Sequence, residues 1–534
     1  MFRHLGSHGS VPATDPERAP HADDRDAPDP GRWKALAVCM LAGVMIFVDV
    51  SIVNVALPSF RTGLGASPAD LSWIVAGYTL TFGLALVPAG RLGDGRGRKR
   101  MLVVGLVLFA LASLAAGLAQ SPLWLVVARL VQGLAGGLVN PQLLGLIQQM
   151  FSGRERGTAF GIFGAVNASS TAVGPLLGGL IIELGGPSAG WRWVFLVNLP
   201  LAAVALVLAP RLLPADPGRA QRSRTSLDPV GAVLLGLAVF GVLLPVVLAE
   251  RDPASAPWWT AAAGLAVAVG FVVWERRYAR GGREPLLDER VLRSPGYVLG
   301  TGLGTLYMAG STAIFFVLTV YLQQGLGYSA LLAGLATMPY AVGSAVAAAW
   351  GGRIVVRVGR PLVVAGTLVM AAGIAATLVV VRVRTDPSTG LLTALPLLVA
   401  GVGSGLVITP NQALTLQDVP VDQGGTAGGM QQTSQRIGSS IGIALVATVF
   451  FAVLSASGQQ YGTALAAGLL VVLACVLAAF ALGLADVLRR RRGRPDVTPA
   501  ALGTGLASGT GSDAGPGDDH GQHHAAAHGH PHPH

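Results

Sequence analysis

Asp49 is the residue with which chemistry can start in this sequence. It sits within Phe47-Val48-Asp49-Val50-Ser51-Ile52-Val53-Asn54-Val55-Ala56-Leu57-Pro58, an apolar stretch in which it is the one charged side chain. A carboxylate in hydrocarbon costs roughly 2.5–3.5 kcal/mol on insertion scales, so it persists there when paired, hydrated or protonated. Reversible protonation is what a proton carrier needs; a fixed salt bridge or a helix-packing hydrogen bond is the alternative. Arg129, in Leu125-Val126-Val127-Ala128-Arg129-Leu130-Val131-Gln132-Gly133, is the natural partner. The run holding Asp49 ends near Pro58 and the run holding Arg129 starts near Pro122. If both are helices of opposite direction, the two side chains lie at similar depth, roughly 10–14 Å from the same surface.

A second constellation is Gly90-Arg91-Leu92-Gly93-Asp94-Gly95-Arg96-Gly97-Arg98-Lys99-Arg100, which reads as a short glycine-rich loop between two apolar runs. Five cations and one acid, Asp94, stand together in it, and the cations place it on the cytoplasmic side of a membrane. The skeleton returns 262 residues later as Gly352-Arg353-Ile354-Val355-Val356-Arg357-Val358-Gly359-Arg360, with Val356 where Asp94 stood. Internal duplication of this kind is a hallmark of secondary transporters. Gly90, Asp94 and Arg98 supply the small residue, the acid and a cation of this stretch.

A third is Gly174-Pro175-Leu176-Leu177-Gly178-Gly179. Pro175 removes a helix hydrogen bond, and Gly174 and Gly178 make a small-residue face for close helix contact. Further polar groups fall in apolar runs: Asn54, Gln132, Asn140, Gln142, Asn167, Asn411, Gln412, Gln431, Gln432 and Arg436. Some of them are expected to line a central cavity. Glu183 is either a proton entrance or an interfacial acid. Asn167-Ala168-Ser169 has the form of a glycosylation sequon but falls inside an apolar run, and Gly401-Val402-Gly403-Ser404-Gly405 has no strand before it to make a nucleotide loop.

The elements that must position these residues are legible in the composition. The chain has 534 residues, 52% hydrophobic and 12% charged, roughly half the charge of a soluble protein. Continuous apolar stretches long enough to span a bilayer recur along it, which indicates an all-α polytopic membrane protein and argues against a β-barrel. We place helices at about 35–57, 71–90, 101–119, 123–149, 158–183, 193–210, 228–249, 257–275, 296–321, 329–350, 361–381, 391–415, 429–452 and 460–485, fourteen in all. With the N-terminus inside, 30 of the 37 Arg and Lys residues fall in cytoplasmic segments, which supports an even count with both termini cytoplasmic.

The two basic stretches follow the second and tenth helices, whereas a plain six-plus-six duplication would put the second one after the eighth. An extra pair, helices 7 and 8, has therefore been inserted. The organisation expected is a disordered N-tail (1–33), a six-helix bundle (34–211), the inserted pair (228–275), a second six-helix bundle (296–485) and a disordered His-rich C-tail (486–534). All ten histidines lie in the tails, Cys39 and Cys475 fall in helices, and no Gly-x-x-x-x-Gly-Lys is present. These exclude a histidine relay through the membrane, a disulfide or metal framework and a P-loop motor on this chain. A basic balance of +10 concentrated in loops does not point to nucleic acid.

Taken together, these motifs resemble the fourteen-helix drug:proton antiporter family of the major facilitator superfamily. Gly90 to Arg100 resembles its signature loop, and Leu125, Arg129, Gln132 and Gly133 its helix 4 motif. Gly174-Pro175 with Gly178-Gly179 resembles the helix 5 antiporter motif, and Asp49, Asn54, Ala56, Leu57 and Pro58 the helix 1 motif. Trp191-Arg192-Trp193-Val194-Phe195 and Asn198-Leu199-Pro200 resemble the segment entering helix 6. Val356, and Ser170 where glycine is common, depart from the pattern.

The resemblance implies two bundles rocking about a midplane cavity, with Asp49 and Arg129 coupling protons. It implies that Gly90, Asp94 and Arg98 act as a gate in which Asp94 docks on a helix N-terminus of the other half, and that Gly174, Pro175 and Gly178 serve as hinge. The function implied is proton-coupled export of small amphipathic drugs or antibiotics across the cell membrane. Its partners would be substrate, protons and lipid, with no cofactor. A monomer is the expected state, although no motif fixes the oligomer. A dedicated exporter of one metabolite and a transport-inactive sensor or scaffold are the other readings.

Overall fold

The computed structural model describes residues 31–186, 189–216, 228–249, 257–281, 289–384, 386, 388–417 and 419–492. Most of both expected tails, including every histidine, lies outside the described residues. Among the described residues the chain is helical throughout, with no strand. This is what a backbone in hydrocarbon requires, since a helix satisfies its own N–H and C=O groups.

The first half consists of α1 (Arg32–Leu64), α2 (Pro68–Arg96), α3 (Arg98–Gly117), α4 (Pro122–Met150), α5 (Gly153–Gly185) and α6 (Gly190–Leu212), the last interrupted by one turn at Val197. Then come α7 (Pro229–Ala249) and α8 (Trp259–Arg280). The second half comprises α9 (Pro295–Gly325, its last turn π-helical), α10 (Ala330–Val358), α11 (Arg360–Val383), α12 (Thr389–Thr415), α13 (Gly424–Ala456) and α14 (Tyr461–Arg492). By length and composition, twelve of the described helices can cross a membrane; α7 and α8 stand outside that twelve.

Both halves have buried apolar cores. One is centred on Met45, Phe109, Leu143 and Phe160, the other on Tyr307, Met370, Phe450 and Leu469. Helices α7 and α8 pack on each other, with Gly241 against Gly264, and Val239 and Leu243 of α7 bury against Leu80 of α2.

The duplication is visible as a repeated hairpin. Ser67 caps α2, its hydroxyl accepting from the N–H of Asp70 (3.2 Å), while Asp70 Oδ2 accepts from the N–H of Ser67 (2.9 Å). Ser329, 262 positions on, caps α10 by accepting from the N–H of Leu332 at 3.2 Å. Such caps satisfy helix-start donors that have no partner within the helix.

Three sequence expectations are corrected. The stretch Gly90–Arg100 is not a loop: α2 continues to Arg96, α3 begins at Arg98, and the chain reverses at Gly97 alone. Gly97 has φ +106°, and its counterpart Gly359 turns α10 into α11 with φ +68°, backbone conformations that a side chain disfavours. The first helix does not end near Pro58 but passes through it to Leu64, because proline forfeits one N–H without ending the apolar surface. The boundary set at 485 falls inside α14, which carries on to Arg492.

Candidate functional site

Asp49 lies midway along α1 with no exposed surface. Its Oδ2 accepts from Arg129 at 2.6 Å, and its Oδ1 accepts from Gln132 Nε2 at 2.9 Å and Asn198 Nδ2 at 2.8 Å. The Arg129 guanidinium also donates to Gln132 Oε1 (2.6 Å) and to the Ile74 carbonyl (3.2 Å), and it stacks 4.2 Å over the Tyr78 ring. Gln132 donates to Ser113 Oγ at 2.8 Å. The ion pair is thus held by polar groups of α1, α2, α3, α4 and α6. Charge-assisted hydrogen bonds of this kind are what allow two charges to remain inside a low-dielectric bundle. Its chemical capability is specific: protonating Asp49 would remove the counter-charge of Arg129 and loosen five helices together.

Two members of this cage were not identified from sequence as site residues. Ser113 is a lone small hydroxyl in an apolar run and carries no signal. Asn198 opens Asn198-Leu199-Pro200, and its polarity beside an apolar helix was the available clue.

The second constellation joins the halves. Asp94, near the end of α2, lies against the first turn of α13. Its Oδ1 accepts from the Gly425 N–H at 3.1 Å, and its Oδ2 accepts from the Thr426 N–H at 2.7 Å and hydroxyl at 2.8 Å. An anion is favoured at a helix N-terminus, where unpaired N–H groups and the helix dipole both point at it. Arg98 pairs with Asp94 at 2.7 Å and donates to the carbonyls of Gly145 (2.6 Å) and Val421. Gln148 of α4 donates to the Leu416 and Val419 carbonyls at 2.8 and 3.0 Å. Gly90 lies flush on Gly425, so that a Cβ there would collide with the Gly425 carbonyl. The turn itself is braced by Asp216, whose carboxylate accepts from the N–H groups of Lys99 and Arg100, both at 3.0 Å.

The duplicated glycine makes the equivalent crossing. Gly352 of α10 packs on the backbone of Gly157 and Gly161 in α5, where Val355 and Val356 take the place of an acid. Arg360, the counterpart of Arg98, pairs instead with Asp486 of α14 at 3.0 Å and donates to Asn411 Oδ1 at 2.7 Å.

In α5, Gly174 and Gly178 lie against Ser51 and Ile52 of α1, while Pro175 is exposed between them. The polar residues expected to line a cavity divide. Gln132 belongs to the Asp49 cage. Gln142 donates to the Ala89 carbonyl (2.8 Å) and Asn411 to the Gly300 carbonyl (2.8 Å), so these three hold helices together. Asn54 is exposed and Asn167 half-buried. Asn140 and Gln412 are buried, and among the described residues neither amide of Asn140 nor Gln412 Nε2 has a partner. Glu183 is exposed near the far end of α5.

Residues 39–443 match the Major Facilitator Superfamily. The chain is 36% identical over 444 residues to a probable actinorhodin transporter of Streptomyces coelicolor, covering 82% of this chain and 76% of that one. It is 36% identical over 456 residues to a puromycin resistance protein of Streptomyces alboniger, covering 82% and 86%. The fold matches a solved proton:xylose symporter with a TM-score of 0.60 at 15% identity, over 87% of this chain and 96% of that one. The chain therefore belongs to the major facilitator superfamily and is a multi-pass membrane transporter of small molecules.

Proposed function

We propose that this transporter is a proton-coupled antiporter that exports small amphipathic molecules across the cytoplasmic membrane and so confers resistance to them. The observation that carries this reading is the enclosed Asp49–Arg129 pair, midway along the spanning helix α1. Burying an ion pair this completely carries a desolvation cost that an apolar pair would avoid, which favours a functional role for its charges. The relatives named for an antibiotic and for resistance to one support the export direction.

In this reading the chain has fourteen spans, with α7 and α8 inserted between two six-helix bundles, and acts as a monomer. Its two termini and the basic Gly97 and Gly359 turns face the cytoplasm. The Asp94–α13 contact then seals the cytoplasmic side of an outward-facing state. Protons reach Asp49 from outside, release Arg129 and permit the rearrangement that opens the inner side. Gly174, Pro175 and Gly178 supply the α1–α5 hinge.

The test is purified protein in liposomes under an imposed pH gradient, assayed with fluorescent amphiphiles, wild type beside Asp49→Asn. Gradient-driven uptake by wild type and none by Asp49→Asn is expected. Full coupled transport by the variant would sink the proton-carrier role. Relatives named for single compounds favour a second reading, a dedicated exporter of one metabolite, which breadth across the same panel decides.

A further inference from the structure

Away from the two ends of the described spans, three charged side chains occur: Asp49, Arg129 and Arg436. The first two neutralise each other. Arg436 of α13 is half-buried and stacks 4.3 Å over the Phe82 ring of α2, which itself stacks on the Tyr78 ring. Among the described residues no carboxylate pairs with it. Stacking on Phe82 holds a guanidinium by its face and leaves its in-plane N–H donors uncommitted. An arginine without a carboxylate partner in the middle of a spanning helix marks a functional site by default.

Independent observations mark the same place. Tyr78 Oη, both amide atoms of Asn140 and both amide atoms of Gln431 are buried without a partner among the described residues, in side chains at most 1% exposed. Helix register places them at neighbouring levels. Leu144 of α4 packs on Gly428 of α13. The two helices are antiparallel, so one turn deeper Asn140 and Gln431 share a level. One turn deeper again come Gly136, which lies against the Tyr78 hydroxyl and Phe82, and Arg436. Buried polar atoms are rarely left unpaired, and a set of them at the levels of α4 and α13 next to a cation without a carboxylate partner points to a polar guest.

We propose that Arg436, Tyr78, Asn140 and Gln431 form a midplane subsite for the anionic group, carboxylate or ionised phenol, of an amphipathic aromatic acid, and that the molecules this transporter prefers are monoanions rather than cations. The inference rests on the transport reading for the fate of the ligand, not for its binding. Arginine's planar fork suits a carboxylate, and the two amides and the phenol supply neutral donors around it. Tyr78 also forms the face on which Arg129 stacks, so occupancy of the subsite is felt at the Asp49 pair.

The test is binding to the purified full-length protein in nanodiscs, followed by the anisotropy of 2-anthroate, with its methyl ester and 2-anthracenemethylammonium as matched neutral and cationic probes. Wild type should bind anthroate most tightly. Arg436→Gln should weaken anthroate ~30-fold or more, by analogy with truncated buried charge pairs, while changing the ester little. Arg436→Lys should restore part of the anthroate preference, which a merely structural role would not do. Preference of wild type for the ester or the ammonium, or unchanged anthroate affinity in Arg436→Gln, overturns the proposal. Loss of gradient-driven transport with anthroate binding intact would instead overturn the export reading alone.

Discussion

Asp94 of α2 and Thr426 of α13 are joined twice, by the backbone N–H at 2.7 Å and by the hydroxyl at 2.8 Å, across 332 positions of sequence. The contact is therefore a carboxylate seated on the start of a helix from the opposite half, with Arg98 behind it at 2.7 Å. Hydrogen bonds to a charged group contribute about 1.5–3 kcal/mol each, and a charge at a helix N-terminus adds roughly 0.3–1 kcal/mol. Asp94→Asn should thus shift the equilibrium toward separation of α2 and α13 by about tenfold or more, since 1.4 kcal/mol is a factor of ten. Thr426→Val, which keeps the N–H bond, should shift it less. Spin-label distances between the Gly97 end of α2 and the first turn of α13 measure both. Unchanged distributions in Asp94→Asn would show that this contact does not hold the end shut.

The second crossing makes the opposite experiment available. Val356 stands where the repeat would place an acid, and it packs against Gly157 near the start of α5. Val356→Asp should add an anion near that helix N-terminus, worth roughly 0.3–1 kcal/mol, and hold the same end closed more firmly. The expected outcome is slower turnover in liposomes with a narrower distance distribution across α5 and α10. Faster turnover would contradict it.

At the ion pair the prediction concerns non-additivity. Removing one partner of a buried pair costs about 3–5 kcal/mol, because the other charge is left uncompensated, whereas removing both costs less than the sum. Asp49→Asn sits at the low end of that range, since an amide can still bond Gln132 and Asn198. Arg129→Gln should lower the thermal midpoint further, and the double variant should recover part of the loss. Thermal unfolding of the three in one detergent decides it; additive losses would mean that the charges do not depend on each other.

How much of this was legible beforehand differs by residue. The apolar runs announced the helices because hydrocarbon allows a chain few other options. Arg129 was found as Asp49's partner because both are charges at equal depth. Ser113 was invisible, since one hydroxyl among leucines and alanines costs little and announces nothing. Asp486 was assigned to the tail because it precedes four arginines, Arg489 to Arg492, that look like a solvated end. Its burial against Arg360 is a tertiary fact that no local pattern contains. The basic stretch after α2 was misread as a loop because glycine and charge are shared by loops and by helix ends that meet another helix closely. The small-residue face of α5 was legible in outline, but which glycines meet α1 follows from helix rotation.

That rotation gives a paired test with its own control. A Cβ on Gly178 would press on Ile52, through both its side chain and its carbonyl, and one on Gly174 would collide with Ser51 Oγ. Gly179, the next residue, has nothing within 4 Å of its Cβ direction. Forcing extra atoms into a packed contact costs typically about 1–3 kcal/mol, while replacing a helical glycine by alanine where the Cβ meets open space gains up to roughly 1 kcal/mol. Gly178→Leu should therefore lower the thermal midpoint and push α5 off α1, whereas Gly179→Ala should hold or raise it. Cysteine cross-linking between the α1 and α5 faces, alongside thermal unfolding, reads both effects. If Gly179→Ala destabilises as much as Gly178→Leu, the closeness of α1 and α5 is not what the small residues serve.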